Sequence, residues 1–310
     1  MARKTSKQTL ARPSIARQIV KNIEKIQQRK IIDLEEWHQA RHRAENLEAT
    51  VASDEKLSRL DPLHALYVYA QDMMDILAQQ LVHLPECRKL AAAFAEAVEV
   101  YRPSYPPESP ITLSYFSCWA LFDLEVGLAR ETIADVVIAV SAKLGINANM
   151  LGLYRTMRAS RMGLYEHRGN KGGRIQLKEL VTEREFSCVS PSGYLGRPGE
   201  LWFARIFPDP SAESRFGYSV VFTTPYVIAR SEGGQVVNTA SLEQWRAYLA
   251  RTLEKTGETD RIRAYEKLMK YGLNRRYWPE YIFTGYANYT ANAVLLTGIP
   301  DVPETLPHAG

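Results

Sequence analysis

The chain has few cysteines and no long apolar run, and both scarcities exclude classes of protein. Its three cysteines, Cys87, Cys118 and Cys188, are far apart and form no C-x-x-C pair, so the sequence predicts neither a disulfide framework nor a zinc ribbon. No apolar window is long enough for a bilayer-spanning helix. No apolar segment follows the basic amino terminus, as a secretory signal requires. We therefore expect a cytoplasmic protein with no membrane partner.

Nucleotide and hydrolase signatures are missing as well. The sequence contains no G-x-x-x-x-G-K-[ST] loop, no G-x-S-x-G elbow and no H-E-x-x-H pair. The glycine-rich stretch 169–173 lacks the spacing and the trailing serine or threonine of a phosphate loop. Gly193, Gly196 and Gly199 recur every third residue, which favours tight turns between strands over a dinucleotide fingerprint. We therefore expect no cofactor.

One pair of histidines has a metal-ligand spacing. His38 and His42 are four residues apart, on one face of a predicted helix, and Glu35 or Glu45 could supply a third ligand. The segment is dense with charge, however. Two histidines on a solvated helix face explain the pattern without a metal, and we favour that interpretation.

Acidic residues offer a second route to metal chemistry. Asp72 with Asp75, and Asp123 with Glu125, could hold a divalent metal for hydrolysis. The alternative that we favour is an ordinary charged helix face, or a buried ion pair with an arginine. Because no nucleophile and base stand at a recognisable spacing, the sequence leans towards a protein that is not an enzyme.

Positive charge is concentrated at the amino terminus. Residues 1–30 hold nine lysines and arginines and one acid, Glu24, which leaves 30 of the 39 basic and 34 of the 35 acidic residues for the rest. The body is therefore mildly acidic. The basic arm favours an anionic partner, either nucleic acid or an acidic protein surface. A solvated terminus that only aids solubility is the alternative.

Apolar periodicity predicts a helical unit over residues 14–167, behind an unstructured basic arm over 1–13. Ser14 is a predicted N-cap, Asp33 with Glu36 has the spacing of a capping box, and Asp61 followed by proline begins a long helix. A further helix opens at Pro85. Beyond the proline-rich connection 102–110, the sequence predicts three more apolar-periodic runs, over 112–128, 131–145 and 148–165.

The pattern changes after residue 167. Residues 168–310 are predicted as a second domain, in which period-two alternation indicates a small antiparallel sheet or barrel over 174–229. Helical patterns return at 241–255 and 259–271. The predicted fold class is therefore α+β, with a multi-helix unit, then a small sheet, then carboxy-terminal helices.

Two clusters of positive charge could contact phosphates. The first consists of Arg155, Arg158, Arg161, Arg168, Lys171 and Arg174, with Glu166 as the one acid within 155–174. Guanidinium groups and free amides beside a glycine loop suit phosphate contacts, although the same arginines could instead fasten the helical unit to the sheet. The second cluster consists of Tyr271, Arg275, Arg276, Tyr277, Trp278 and Tyr281. Arginines among aromatic residues suit single-stranded nucleic acid, and suit the margin of a protein core equally well.

Short segments in the last two thirds of the chain carry a resemblance to other proteins. They are SP at 109–110, SYF at 114–116, WALFD at 119–123, ET at 131–132, SRMG at 160–163, ELVT at 179–182, GY at 193–194, GELW at 199–202, TTPY at 223–226 and KYG at 270–272. From about residue 103 onward the chain resembles an uncharacterised family of bacterial proteins. The resemblance implies a bacterial context and implies no activity, cofactor or catalytic residue.

Together these features predict a bacterial nucleic-acid-binding module or an accessory of a nucleoprotein complex. The predicted binding residues are Arg3, Lys4, Lys7, Arg12, Arg158, Arg161, Arg168, Lys171, Arg174, Arg275, Arg276, Tyr277 and Trp278. One alternative is a metal-dependent hydrolase or nuclease. The other is a subunit of a multiprotein assembly whose acidic partner takes the arm.

Overall fold

The chain forms an α+β structure in which helices precede a small barrel and further helices follow it. This computed structural model describes residues 14–28, 35, 39, 42, 51–101, 112–210, 216–232, 235–238, 241–271, 286–289 and 292–296. The predicted fold class and order of elements are thereby confirmed. Within these ranges, no helix combines the length and the apolar character needed to cross a membrane.

Polar caps begin the amino-terminal helices. The helices are α1 (Ile15–Gln27), α2 (Asp54–Ser58), α3 (Pro62–Leu81), a 3-10 turn (Pro85–Cys87), α4 (Arg88–Tyr101), α5 (Leu113–Phe122), α6 (Ile133–Lys143) and α7 (Ala148–Ala159). Ser14 caps α1, Asp61 caps α3, and Thr132 forms a capping box with Asp135 at the start of α6. These side chains accept hydrogen bonds from backbone N–H groups that the first helical turn leaves without partners.

Nine strands are described in this part of the chain, and the first five of them close into a barrel. The strands are β1 (Met162–Lys171), β2 (Arg174–Glu179), β3 (Glu185–Val189), β4 (Leu201–Phe207), β5 (Ser219–Val221), β6 (Tyr226–Glu232), β7 (Gln235–Asn238), β8 (Tyr286–Tyr289) and β9 (Val294–Leu296). β1 pairs with both β2 and β4, and β5 closes the ring by lying parallel to β3 and antiparallel to β4. β4 also pairs with β6, which leads to β7 and, through β9, to β8.

Apolar residues fill the barrel and join it to the helices on two sides. Its interior includes Tyr165, Ile175, Leu177, Cys188, Trp202, Ala204, Ile206 and Val221. The outer face of β1, β4 and β6 packs against the two later helices, α8 (Leu242–Glu254) and α9 (Arg261–Tyr271). The amino-terminal helices share a separate core with Phe207 and Val220 of the barrel. The barrel therefore lies between two helical layers.

Three details differ from the expectations, and one predicted helix is not tested. The predicted helical run 148–165 ends at Ala159, and β1 begins at Met162, so the predicted domain boundary at 167/168 falls inside a strand. The sheet extends beyond 174–229, to residues 162–171 and 286–296. Its pairing is mixed, because β3–β5 and β6–β9 are parallel. The helix predicted from Asp33 lies almost wholly outside the described residues.

Candidate nucleic-acid interface

The β1–β2 hairpin presents two cations at its tip. Lys171 and Arg174 are paired across the two strands, and only Gly172 and Gly173 separate them. Both glycines have positive φ, 58° and 76°, which is the backbone that a tight two-residue hairpin requires and that glycine adopts without strain. Lys171 is exposed and Arg174 half-buried. The glycine loop of the sequence is therefore a tight two-residue turn that places two basic side chains side by side.

Arg174 lies over an aromatic ring from the β4–β5 connection. Its guanidinium carbon is 4.1 Å from the centre of the Tyr218 ring, a favourable cation–π distance. The Tyr218 hydroxyl donates to the Asp61 carboxylate at 2.9 and 3.0 Å. Burial, the hydrogen bond to Asp61 and the charge of Asp61 raise the pKa of Tyr218. The ring is thus held in place by the cap of α3, with its hydroxyl protonated.

The β4–β5 connection carries a second ring beside Tyr218. The Phe216 ring meets Tyr218 edge to face, with 5.9 Å between ring centres. Asp209 accepts hydrogen bonds from the amides of Phe216 and Gly217, both at 3.0 Å. Both rings are half-buried. An aromatic pair therefore stands next to the two cations of the hairpin.

The outward face of β2 and of the first part of β3 is polar, whereas Val189 at the end of β3 packs against the helical core. Gln176 donates to the Ser187 hydroxyl at 3.1 Å, and Lys178 pairs with Glu183 at 3.2 Å. The alternate residues of these strands point inward, as the buried Ile175 and Leu177 show. A polar strip therefore runs from the hairpin tip across the barrel wall.

Arg168 extends this surface along β1. Its side chain is exposed and pairs with Glu166 at 2.8 Å. A register shift between His167 and Gly169 bends the strand at this point. The buried His167 fixes the bend, because its Nδ1 accepts from the Gly169 amide at 3.0 Å while Nε2 donates to the Leu195 carbonyl at 2.9 Å.

The two predicted arginines upstream of β1 lie elsewhere and are paired with acids. Arg158 donates two hydrogen bonds to Asp135, at 2.9 and 3.0 Å. Arg161 pairs with the buried Glu179 at 2.6 Å and lies 4.5 Å from the centre of the Tyr265 ring. β1 separates Arg161 from Lys171, so the two do not belong to one surface. This arrangement matches the alternative in which these arginines fasten helices to the sheet.

Electrostatics at Asp135 supports a structural role for Arg158. Burial alone disfavours the ionised carboxylate, but the hydrogen bonds from Arg158 and from Thr132 outweigh it, so the pKa of Asp135 is lowered. The ion pair is therefore formed throughout the neutral pH range. Nε and one terminal nitrogen of the Arg158 guanidinium form a bidentate pair with this carboxylate, so that fork is not available to a phosphate.

A buried charge cluster joins α5, β4 and α9. The wholly buried Arg205 makes an ion pair with Asp123, and Lys270 lies 4.0 Å from the same carboxylate. Burial, reinforced by the charges of Arg158 and Arg205 and opposed by Asp123, lowers the pKa of Lys270 to about 8. Asp123 therefore forms a buried ion pair with an arginine, as in the alternative that the sequence favoured over a metal site. Sequence reasoning gave no signal for Arg205 or Lys270, whose partner is distant along the chain.

The remaining predicted site residues form no site among the described residues. Of the two candidate metal ligands, His42 is exposed and His38 lies outside the described residues. In the described part of the chain, no group of three histidine, cysteine or acidic residues is placed to hold a metal. Also outside the described residues are Arg3, Lys4, Lys7, Arg12, Arg275, Arg276, Tyr277 and Trp278.

Comparison with models of protein families, with curated proteins and with solved structures finds no match for this chain.

Proposed function

We propose that the barrel binds single-stranded nucleic acid across the β2–β3 face, beginning at the hairpin tip. The observation that supports this most strongly is the grouping of Lys171, Arg174 and Tyr218 where the β1–β2 turn meets the β4–β5 connection. Among the described residues no acid pairs with Lys171, so a cation available to phosphate stands here beside an aromatic ring of the kind on which bases stack.

The architecture of the barrel favours the same location for a binding site. Small five-stranded barrels of the oligonucleotide- and oligosaccharide-binding class use the face of strands 2 and 3 and the loops 1–2 and 4–5 to bind their ligands. This chain has its β1–β2 turn and its β4–β5 connection in contact through Arg174 and Tyr218. Because architecture by itself does not establish function, the proposal depends on these residues.

The chemistry fits an unpaired strand better than a duplex. Base stacking on an aromatic ring contributes about 1–3 kcal/mol per base and needs a base that is not already stacked in a helix. Cations along the same groove then follow the backbone phosphates. Lys171 is exposed and serves as the main cation, Arg168 is exposed but shares its charge with Glu166, and Tyr218 and Phe216 form the platform.

The basic arm is proposed as an accessory contact. The arm leads directly into α1, whose start is held by Glu131 through hydrogen bonds from the Ser14 hydroxyl and the Ile15 amide, at 2.7 and 2.6 Å. Deleting residues 1–13 removes four of the basic residues. We expect weaker binding and a shallower salt dependence after deletion, with the fold intact.

The test is a set of variants assayed by fluorescence anisotropy with labelled single-stranded DNA. Lys171→Glu is expected to weaken binding about tenfold, which corresponds to one lost charge-assisted contact of ~1.5 kcal/mol. Lys89→Glu makes the same charge change at an exposed position on α4 and is expected to leave affinity nearly unchanged. Equal losses in the two variants would contradict a local site.

Variants of Tyr218 separate nucleic acid from an acidic protein surface as the partner. Tyr218→Phe keeps the ring and removes the hydroxyl, whereas Tyr218→Leu removes the ring. If bases stack here, only the leucine variant should lose affinity about tenfold. A partner that binds through charge alone would be sensitive to Lys171→Glu and indifferent to the ring.

A further inference from the structure

The helical layer contains an apolar cavity that is distinct from the proposed nucleic-acid face. Its volume is about 340 Å³, and it lies among α3, α4, α5 and α6. Leu90, Phe94, Phe116, Leu121 and Val136 contribute to its wall. A volume of this size is at the lower end of the range of small-molecule sites, about 300–1,000 Å³.

The cavity is accessible from solvent. Val82, Phe94 and Leu113 line it and are large apolar residues that remain 39%, 39% and 62% exposed. The rings of Phe94 and Phe116 lie 5.9 Å apart between their centres, which makes part of the wall aromatic. Exposed apolar side chains that line a pocket in this way are typical of a ligand-binding cleft.

One carboxylic acid stands in this apolar wall. Asp75 on α3 lines the cavity and is half-buried. In the described part of the chain it has no hydrogen bond or ion pair, whereas its neighbour Asp72 accepts from the Ala52 amide at 2.9 Å. Burial, together with the charge of Asp72, raises the pKa of Asp75 to about 7. Burial and, in smaller part, the charge of Asp75 raise the pKa of the Cys118 thiol on α5.

An unpartnered carboxyl in an apolar wall selects its ligand by charge. Burying a carboxylate is unfavourable unless a cation or hydrogen-bond donor pairs with it. The residues lining the cavity include no lysine, arginine or histidine, so nothing in the wall would attract an anion. A ligand that brings its own cation satisfies Asp75 and fills the apolar space at the same time.

We propose that this cavity binds a small apolar primary amine, with its hydrocarbon or aromatic part among the phenylalanines and its ammonium group on Asp75. Because the cavity lies among the helices and the proposed nucleic-acid face lies on the barrel, this site does not depend on the function of the barrel.

The test compares three ligands of matched size in the full-length protein by isothermal titration calorimetry. They are 2-phenylethylamine, 2-phenylethanol and phenylacetate, which share a ring and differ in the charge of the polar group. The amine should bind at least tenfold more tightly than the alcohol, and phenylacetate should bind most weakly. Equal affinity for amine and alcohol, or no binding of any of them, would overturn the proposal.

Two variants test where the ligands bind. Asp75→Asn should reduce amine affinity to that of the alcohol and leave the alcohol unaffected. Ala91→Phe, which fills the cavity from α4, should weaken both. Circular dichroism and the melting temperature check that each variant is folded; if either variant is not, the comparison of ligands in the parent protein still decides. An amine preference that survives Asp75→Asn would show that the carboxyl is not its receptor.

Discussion

The buried pair of Arg205 and Asp123 leads to a quantitative prediction about stability. Both side chains are almost fully shielded from solvent, at 0% and 2% exposed, and the only other cation within salt-bridge distance among the described residues is Lys270, at 4.0 Å. Arg205→Met would leave Asp123 buried without its main partner. Breaking a buried pair in this way typically costs about 3–5 kcal/mol. We expect a loss of that size in the free energy of unfolding, measured by urea denaturation.

The double variant provides the control. Replacing a buried pair by apolar residues of similar volume is often neutral or stabilising, so Arg205→Met combined with Asp123→Leu should be more stable than Arg205→Met alone. Lys270 keeps its hydrogen bond to the Arg158 carbonyl, at 2.8 Å, in that background. Separate losses that simply add in the double variant would show that the two side chains are not coupled, which would contradict a stabilising buried ion pair.

Three further predictions concern single residues. The pKa of Lys270 in the folded state is about 8 because burial disfavours its ammonium form. The resulting loss of stability is complete below that pH and disappears as the pH rises towards the pKa of the unfolded state. Relative to Lys270→Met, the parent should gain about 2 kcal/mol in unfolding free energy between about pH 7 and 9.5, and a constant difference would contradict the pKa. At Gly196 (φ +63°) an added Cβ would lie 2.5 Å from the Trp202 ring, whereas at Gly199 (φ +88°) it meets nothing within 4 Å. Gly196→Ala should therefore lower the melting temperature far more than Gly199→Ala. Equal effects would mean that backbone strain alone causes the loss of stability. Glu131→Gln should destabilise the docking of α1 by about 1–2 kcal/mol, seen as faster proteolysis within that helix, and an unchanged rate would count against its anchoring role.

Local signals predicted the amino-terminal helices well. Caps such as Ser14 and Asp61 act on backbone groups within three residues, so their effect can be read from the sequence. The start of β1 could not be read in this way. Met162 to Tyr165 are buried on both faces of the strand, against the barrel interior and against α8 and α9. A strand buried on both sides loses the period-two alternation that identifies it.

The candidate interface was predictable only in part. The cations of the hairpin and the turn-forming glycines are adjacent in sequence, so their proximity follows from local structure. Tyr218 reaches Arg174 only because the barrel closes. Charge patterns likewise cannot distinguish a free arginine from a paired one. Arg158 and Arg161 find their acids 23 and 18 residues away, and Arg205 finds Asp123 at a separation of 82 residues.

The salt dependence of binding to single-stranded DNA tests the central proposal most directly. Affinity is measured for the parent and for Lys171→Glu over a series of salt concentrations. The parent should show a steep linear fall of log affinity with log salt concentration. The slope of the variant should be shallower by about 0.7, the value for one phosphate contact on a single strand. Identical slopes for the two proteins, or no measurable binding by the parent at low salt, would contradict the proposal that this barrel edge binds nucleic acid.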